Sequence, residues 1–151
     1  MMNIANLGEV TVGYKYNSSL QNRPKITDVK MAHDIIMRMM DMDKIGLQEQ
    51  IVVLYLNQAN LVIGSSNAFT GGLTGSVVDI RIIIATALNL MATGVIIAHN
   101  HPSSNLKAST QDITLTKKLK TALSYMDINL LDHLIVTPEN EYLSMSNEGL
   151  F

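Results

Sequence analysis

The chain has 151 residues, 47% hydrophobic and 16% charged, which suits one domain around a single core and excludes a disordered chain. A formal net charge of −2 gives no global attraction to nucleic acid or to an anionic membrane surface. With no cysteine, disulfides and thiolate ligands are excluded, so any metal site must be built from His, Asp or Glu.

The opening "MMNIANLGEVTVGYKY" lacks the basic stretch and apolar core of a secretory signal, so a cytoplasmic location is expected. Within it, "EVTVGYKY" (9–16) alternates apolar and polar residues as a half-buried strand does, and "NSSLQNRPK" follows as a linker. Thr27 and Asp28 can start a helix to about Met42, with Val29, Ala32, Ile36 and Met39 at helical spacing and Gly46 as its breaker. "QIVVLYL" (50–56) and "LVIG" (61–64), either side of "NQAN", predict a hairpin of two central strands. The small-residue segment "SSNAFTGGLTGS" (65–76) predicts a flexible or bulged connection.

Asp79 predicts the N-cap of a helix over 80–92, ended by Gly94, and "VIIAH" (95–99) predicts the next strand. Residues 82–98 carry no charge, but a membrane span needs about 20 apolar residues. Here Asn89, Thr86, Thr93 and Gly94 interrupt the run, which therefore divides into a buried helix and a buried strand. Ser109 opens a helix to about Met126, and "INLLDHLIVT" with "EYLSM" forms a closing strand pair around "PEN". Without repeats or low-complexity tracts, this order describes an α/β fold, a mixed β-sheet flanked by helices.

Two of the four histidines stand one residue apart in "AHNHPSSNLKASTQD" (98–112). Residues i and i+2 of a strand face the same side, so His99 and His101 project together from the end of "VIIAH". Pro102 sets the chain's direction, and "SSNLKA" gives it slack to bring Asp112 back to the same place. Two imidazoles and a carboxylate leave a fourth tetrahedral position open for water, as in catalytic zinc sites. "STQD" equally fits a capping box, with Ser109 as N-cap and Asp112 bonding back to its N–H, and that use of Asp112 competes with ligation.

The spacing His-X-His, seven residues, Ser, two residues, Asp resembles the signature of the JAB/MPN (JAMM) metalloprotease-like domains at all four positions. The strings "AHNHPSSN" and "LDHLIVTPENEYLSMSNEGLF" resemble, more narrowly, the bacterial RadC family, from about Pro24 to Phe151. The resemblance implies a three-layer, cytidine deaminase-like architecture over 26–151, preceded by an N-terminal strand and linker over 1–25. It implies Zn2+ held by His99, His101 and Asp112, with Ser109 helping to stabilise the oxyanion. It also implies a glutamate at the first core strand, the place Glu49 takes in "LQEQIVVLYL"; a solvated carboxylate at the strand's start is the alternative. The chain departs from RadC proteins at Ser104, where glycine is usual, and at Ala108 and Ile80, where proline is common. The helix-hairpin-helix region that precedes the domain in longer RadC proteins is expected to be absent, which weighs against duplex binding.

The implied chemistry is hydrolysis of a peptide or isopeptide bond by metal-activated water, with Glu49 as general base and a peptide or protein as substrate. A DNA-associated accessory protein whose metal site is secondary is the alternative. A contiguous "HNH" is no evidence for an HNH nuclease, whose letters stand for dispersed residues. The deaminase PCxxC and the zincin HExxH are both missing. His133 in "LDHLIV" is expected to be a packed core histidine, and His33 structural or exposed. Lys107, Lys117, Lys118 and Lys120 are expected to form a solvated face before a phosphate-binding one.

Overall fold

The computed structural model describes residues 22–70 and 78–151. The strand expected over 9–16 and the second half of the connection expected over 65–76 lie outside the described residues. The elements are α1 (Val29–Met39), β1 (Gln50–Leu56), β2 (Val62–Thr70), α2 (Ile80–Asn89), β3 (Gly94–Asn100), α3 (Thr110–Ser124), β4 (Asn129–Val136) and β5 (Tyr142–Ser144). One five-stranded sheet has the order β2-β1-β3-β4-β5. Its pairs are antiparallel except β3 with β4, which α3 joins as a parallel crossover.

β1 and β3 are buried along their whole length, which is why their sequences are continuous apolar runs without alternation. Val52, Leu54 and Leu56 of β1, with Ile96 and Ala98 of β3, pack against Ala32, Ile36 and Met37 of α1. On the other face Ile51, Val53 and Tyr55, with Val95 and Ile97, pack against Ile83 and Ala87 of α2 and Leu119 and Leu123 of α3. Helices therefore cover both faces of a mixed sheet, in the three layers expected.

β4 changes face partway along. Val95 pairs with Leu130 but Ile96 pairs with Asp132, so Leu131 is an extra residue without a partner on β3. Leu130 accordingly packs on the α2–α3 side and Leu134 on the α1 side, although they are four residues apart. His133 then lies on the α3 side, where it meets Thr116.

Several boundaries differ from expectation for local reasons. α1 stops at Met39, short of Met42, because the Gln50 side chain accepts from Asp41 N at 2.8 Å and donates to Asp41 O at 2.9 Å, drawing the chain off the helix axis. α2 ends at Asn89, and Gly94 is not its terminator. Met91 adopts φ 52°, Met91 N donates to Leu88 O and Ala92 N to Ala87 O, a Schellman motif closed by methionine. Gly94 instead opens β3, where a Cβ would stand 2.9 Å from Leu131 Cδ1.

α3 ends two residues before Met126 by the same motif, with Asp127 at φ 54° and Ile128 N donating to Leu123 O. Residues 65–70 are not a connection: β2 continues through them, because β1 supplies the ladder partners that small residues need to remain extended.

Candidate metal centre

β3 delivers His99 and His101 to one side of its carboxyl end, and His101 N extends the parallel ladder by donating to Val136 O at 2.9 Å. Ser104 N donates to His101 O, a tight turn that reverses the chain, and Ser109 then caps α3. Asp112, in the first turn of α3, faces both imidazoles. His99 Nε2 and His101 Nε2 are 2.9 Å apart, with Asp112 Oδ1 at 3.3 Å from the first and Oδ2 at 3.6 Å from the second. Among the described residues this is the group of three that could hold a metal ion.

Capping and convergence on the imidazoles do not exclude one another at Asp112. Ser109 N and Oγ donate to Oδ2 at 2.7 and 2.6 Å, and Asp112 N donates to Ser109 Oγ at 3.1 Å, so the capping box is complete. Oδ1 remains turned to His99. The box holds the carboxylate in place by spending one of its two oxygens.

The donor set suits a cation because of where the ring hydrogens must be. His101 Nδ1 lies 2.5 Å from the Asn105 carbonyl oxygen, which can only accept, so Nδ1 carries the hydrogen and neutral His101 has a bare Nε2. Thr116 Oγ1 lies 2.5 Å from Asp112 O, and two oxygens so close need the hydroxyl hydrogen between them. His133 Nδ1, 2.6 Å from Thr116 Oγ1, must then donate, which leaves its Nε2 to accept from His99 Nδ1 at 2.7 Å. His99 is left with a bare Nε2 as well. Two lone pairs and a carboxylate aimed at one point repel each other unless a proton or a cation lies among them.

The ionisation of these groups follows. Burial pushes His99 down to about 4. His101 is raised, chiefly by its bond to Asp112, with the Glu49 charge adding to the effect. Burial opposes the charge on Asp112, but the contacts with His101, His99 and Ser109 outweigh it and hold the carboxyl well below the usual range. Burial also keeps His133 neutral.

Glu49 sits half-buried just before β1, close enough for its charge to act on His101. The residue that holds its segment was not singled out from the sequence. Asn100, fully buried between the two histidines, accepts from Gln50 N at 2.6 Å and donates to Ile45 O at 2.6 Å and Gln48 O at 3.0 Å. Strand alternation, which puts Asn100 on the face opposite His99, was the available signal. His133 is buried as expected and stands outside the metal-ligating group, one hydrogen bond behind it. Thr116 was missed; its place one helical turn after Asp112 was the sign that the two share a face. His33 is buried against the ring of Tyr142, and Lys107, Lys117, Lys118 and Lys120 are exposed.

A three-layer α/β domain with two imidazoles at a strand end and a carboxylate at the next helix start is a domain equipped to hold a metal ion. The chain belongs to the RadC-like JAB domain family, which matches residues 26–150. It is similar to the UPF0758 protein of Flavobacterium johnsoniae, 45% identical over 103 residues, covering 68% of this chain and 44% of the relative. The UPF0758 protein of Porphyromonas gingivalis is 36% identical over 135 residues, covering 89% of this chain and 58% of the relative. That of Staphylococcus carnosus is 36% identical over 137 residues, with 90% and 58% covered. The chain thus spans about half the length of the curated relatives it matches. Among the described residues no helix is long and apolar enough to cross a membrane.

Proposed function

We propose that this domain is a cytoplasmic zinc-dependent hydrolase of the JAB type that cleaves a peptide or isopeptide bond. The observation that carries the reading is the pair of Nε2 atoms 2.9 Å apart beside the Asp112 carboxylate, which the ring hydrogens inferred above leave bare in the neutral imidazoles and which a divalent ion can bridge in place of a proton. A borderline-soft divalent ion with His and carboxylate ligands and an open position is most economically zinc. His99, His101 and Asp112 would hold it. When bound, zinc supplies Lewis acidity toward a carbonyl oxygen and a water acidified toward about pH 7.

Glu49 takes the proton of the attacking water as the oxygen adds to the carbonyl carbon, and returns it to the nitrogen as the C–N bond breaks. Ser109 spends its hydroxyl hydrogen on Asp112 Oδ2, so its first task is to orient that carboxylate. It serves a substrate oxyanion only by rotating that hydrogen away.

The test is a metal count on untreated protein followed by a peptide-library digest of three forms. Wild type should carry about one zinc per chain and cleave. His101→Ala should lose the metal. Glu49→Gln should keep it and lose turnover. Cleavage unchanged in Glu49→Gln would remove the general base, and a protein free of metal would remove the enzyme. Salt-sensitive duplex binding that survives chelation would favour the DNA-associated alternative.

A further inference from the structure

Behind the three proposed ligands runs a buried chain of hydrogen bonds that has one direction only: His99 Nδ1–H to His133 Nε2, His133 Nδ1–H to Thr116 Oγ1, Thr116 O–H to Asp112 O. We propose that His133 and Thr116 are positioning residues which fix the tautomer of His99, so that its Nε2 is always presented bare to the cation. The proposal rests on the metal-centre reading above and adds to it the source of the site's preorganisation.

A free neutral imidazole carries its hydrogen on either nitrogen, and the wrong choice at His99 would cap the ligating atom with a hydrogen. Inside the fold the choice is made three residues away. The Asp112 carbonyl can only accept, so the Thr116 hydrogen points to it. The hydroxyl oxygen is then an acceptor, His133 must donate from Nδ1, and His99 must donate from Nδ1 in turn. His99, Thr116 and His133 are respectively 5%, 1% and 1% exposed, so water does not compete for these bonds. The chain also closes on itself, because its last acceptor belongs to the residue that supplies the third ligand. A displacement of α3 along its axis would loosen the carboxylate and the relay together. Nothing in the three-ligand spacing requires His133: it reaches His99 because β4 runs parallel to β3 and Leu131 reverses its faces.

Outer partners of metal-bound histidines commonly change affinity about 10- to 100-fold when removed. The experiment reads both affinity and tautomer. Long-range 1H–15N spectra of metal-free wild type near pH 8 should show His99 and His133 as Nδ1–H tautomers. Thr116→Val removes the final acceptor, freeing His133 to turn its hydrogen to Nε2 and push that of His99 onto its own Nε2; Thr116→Ser should retain the wild-type spectrum. In zinc titrations His133→Phe should bind about 10- to 100-fold more weakly. His133→Gln, whose amide oxygen can accept from His99, should recover most of the loss.

An Nε2–H tautomer at His99 in wild type would overturn the proposal. So would a folded His133→Phe protein that binds zinc as wild type does, while the metal centre itself would stand. If wild type binds no zinc, the hydrolase reading fails and the spectra still decide the relay. If His133→Phe does not fold, the Thr116 pair and the wild-type spectrum decide it.

Discussion

The main-chain N–H of Gln50 donates to Asn100 Oδ1 at 2.6 Å, and through that bond the residue between the two histidines carries the segment on which Glu49 sits. The Asn100 amide nitrogen binds two further carbonyls of the same segment, Ile45 O and Gln48 O. One side chain thus joins the proposed general base to the strand that presents the ligands.

Asn100→Ala should therefore cost stability and turnover more than metal. It strands one N–H and two carbonyls in a buried place, at about 1–3 kcal/mol for each group that water cannot reach. Urea denaturation should show a loss of about 2–4 kcal/mol, with zinc affinity changed far less than the rate of cleavage. Asn100→Asp should be at least as damaging, because it sets a carboxylate oxygen against two carbonyl oxygens. A variant as active as wild type would show that the 45–50 segment holds itself.

Zinc binding should weaken in acid. His101 is raised above its ordinary value by Asp112, so a proton competes for its Nε2 before the solution reaches the usual imidazole range. Below that point affinity should fall roughly tenfold per pH unit, one proton leaving for each ion bound. Titrations at about pH 7.5 and pH 5 check this, and equal affinity at the two would contradict it.

The metal-free protein should itself lose stability in acid. His99 is neutral in the fold with a value near 4, and in the unfolded chain it titrates near the ordinary 6.5. Its contribution is complete above the unfolded value and is lost as pH falls from there toward the folded one, by up to roughly 3 kcal/mol at about 1.4 kcal/mol per unit. His133, also held neutral by burial, adds to this loss, whereas His101 works in the opposite sense, since its raised value favours the fold once it is protonated. Urea midpoints of metal-stripped protein between about pH 7.5 and pH 4.5 measure the balance. A midpoint that rises on acidification would mean that His101 outweighs His99.

Ser104 occupies φ 59°, the left-handed region that glycine enters without strain. This is the position where RadC-type sequences usually carry glycine. Ser104→Gly should relieve about 0.5–1 kcal/mol of backbone strain, read as a raised midpoint in thermal unfolding. The Ser104 side chain bonds to Glu139 in the turn between β4 and β5, and loss of that contact would subtract from the gain.

What could be read in advance divides along the range of the interactions. His99 and His101 follow from a short-range rule, two residues apart at a strand end, and Asp112 is joined to them by the spacing that resembles the JAB/MPN signature. β1, β3 and the start of α3 are equally local. The ends of α1 and α2 were misplaced because they depend on distant partners: Gln50 pulls Asp41 aside, and Met91, where glycine would be expected, closes the Schellman motif. Ser65 to Thr70 have the composition of a loop and remain extended because β1 supplies their hydrogen bonds. Strand alternation gives the face on which Asn100 lies, but the partners of Asn100 and His133 stand across a separation in the chain that only strand register can close.

The unpaired Leu131 also fixes how the protein can vary. Removing it would join Leu130 directly to Asp132 and let β4 alternate simply, with Leu130 beside Val95, Asp132 beside Ile96 and His133 still beside Ile97 on the α3 side. A deletion of that one codon would thus leave the imidazole behind His99 in place. The bulge therefore takes up a difference of one residue inside β4, a slack in length that the acceptor behind His99 does not feel.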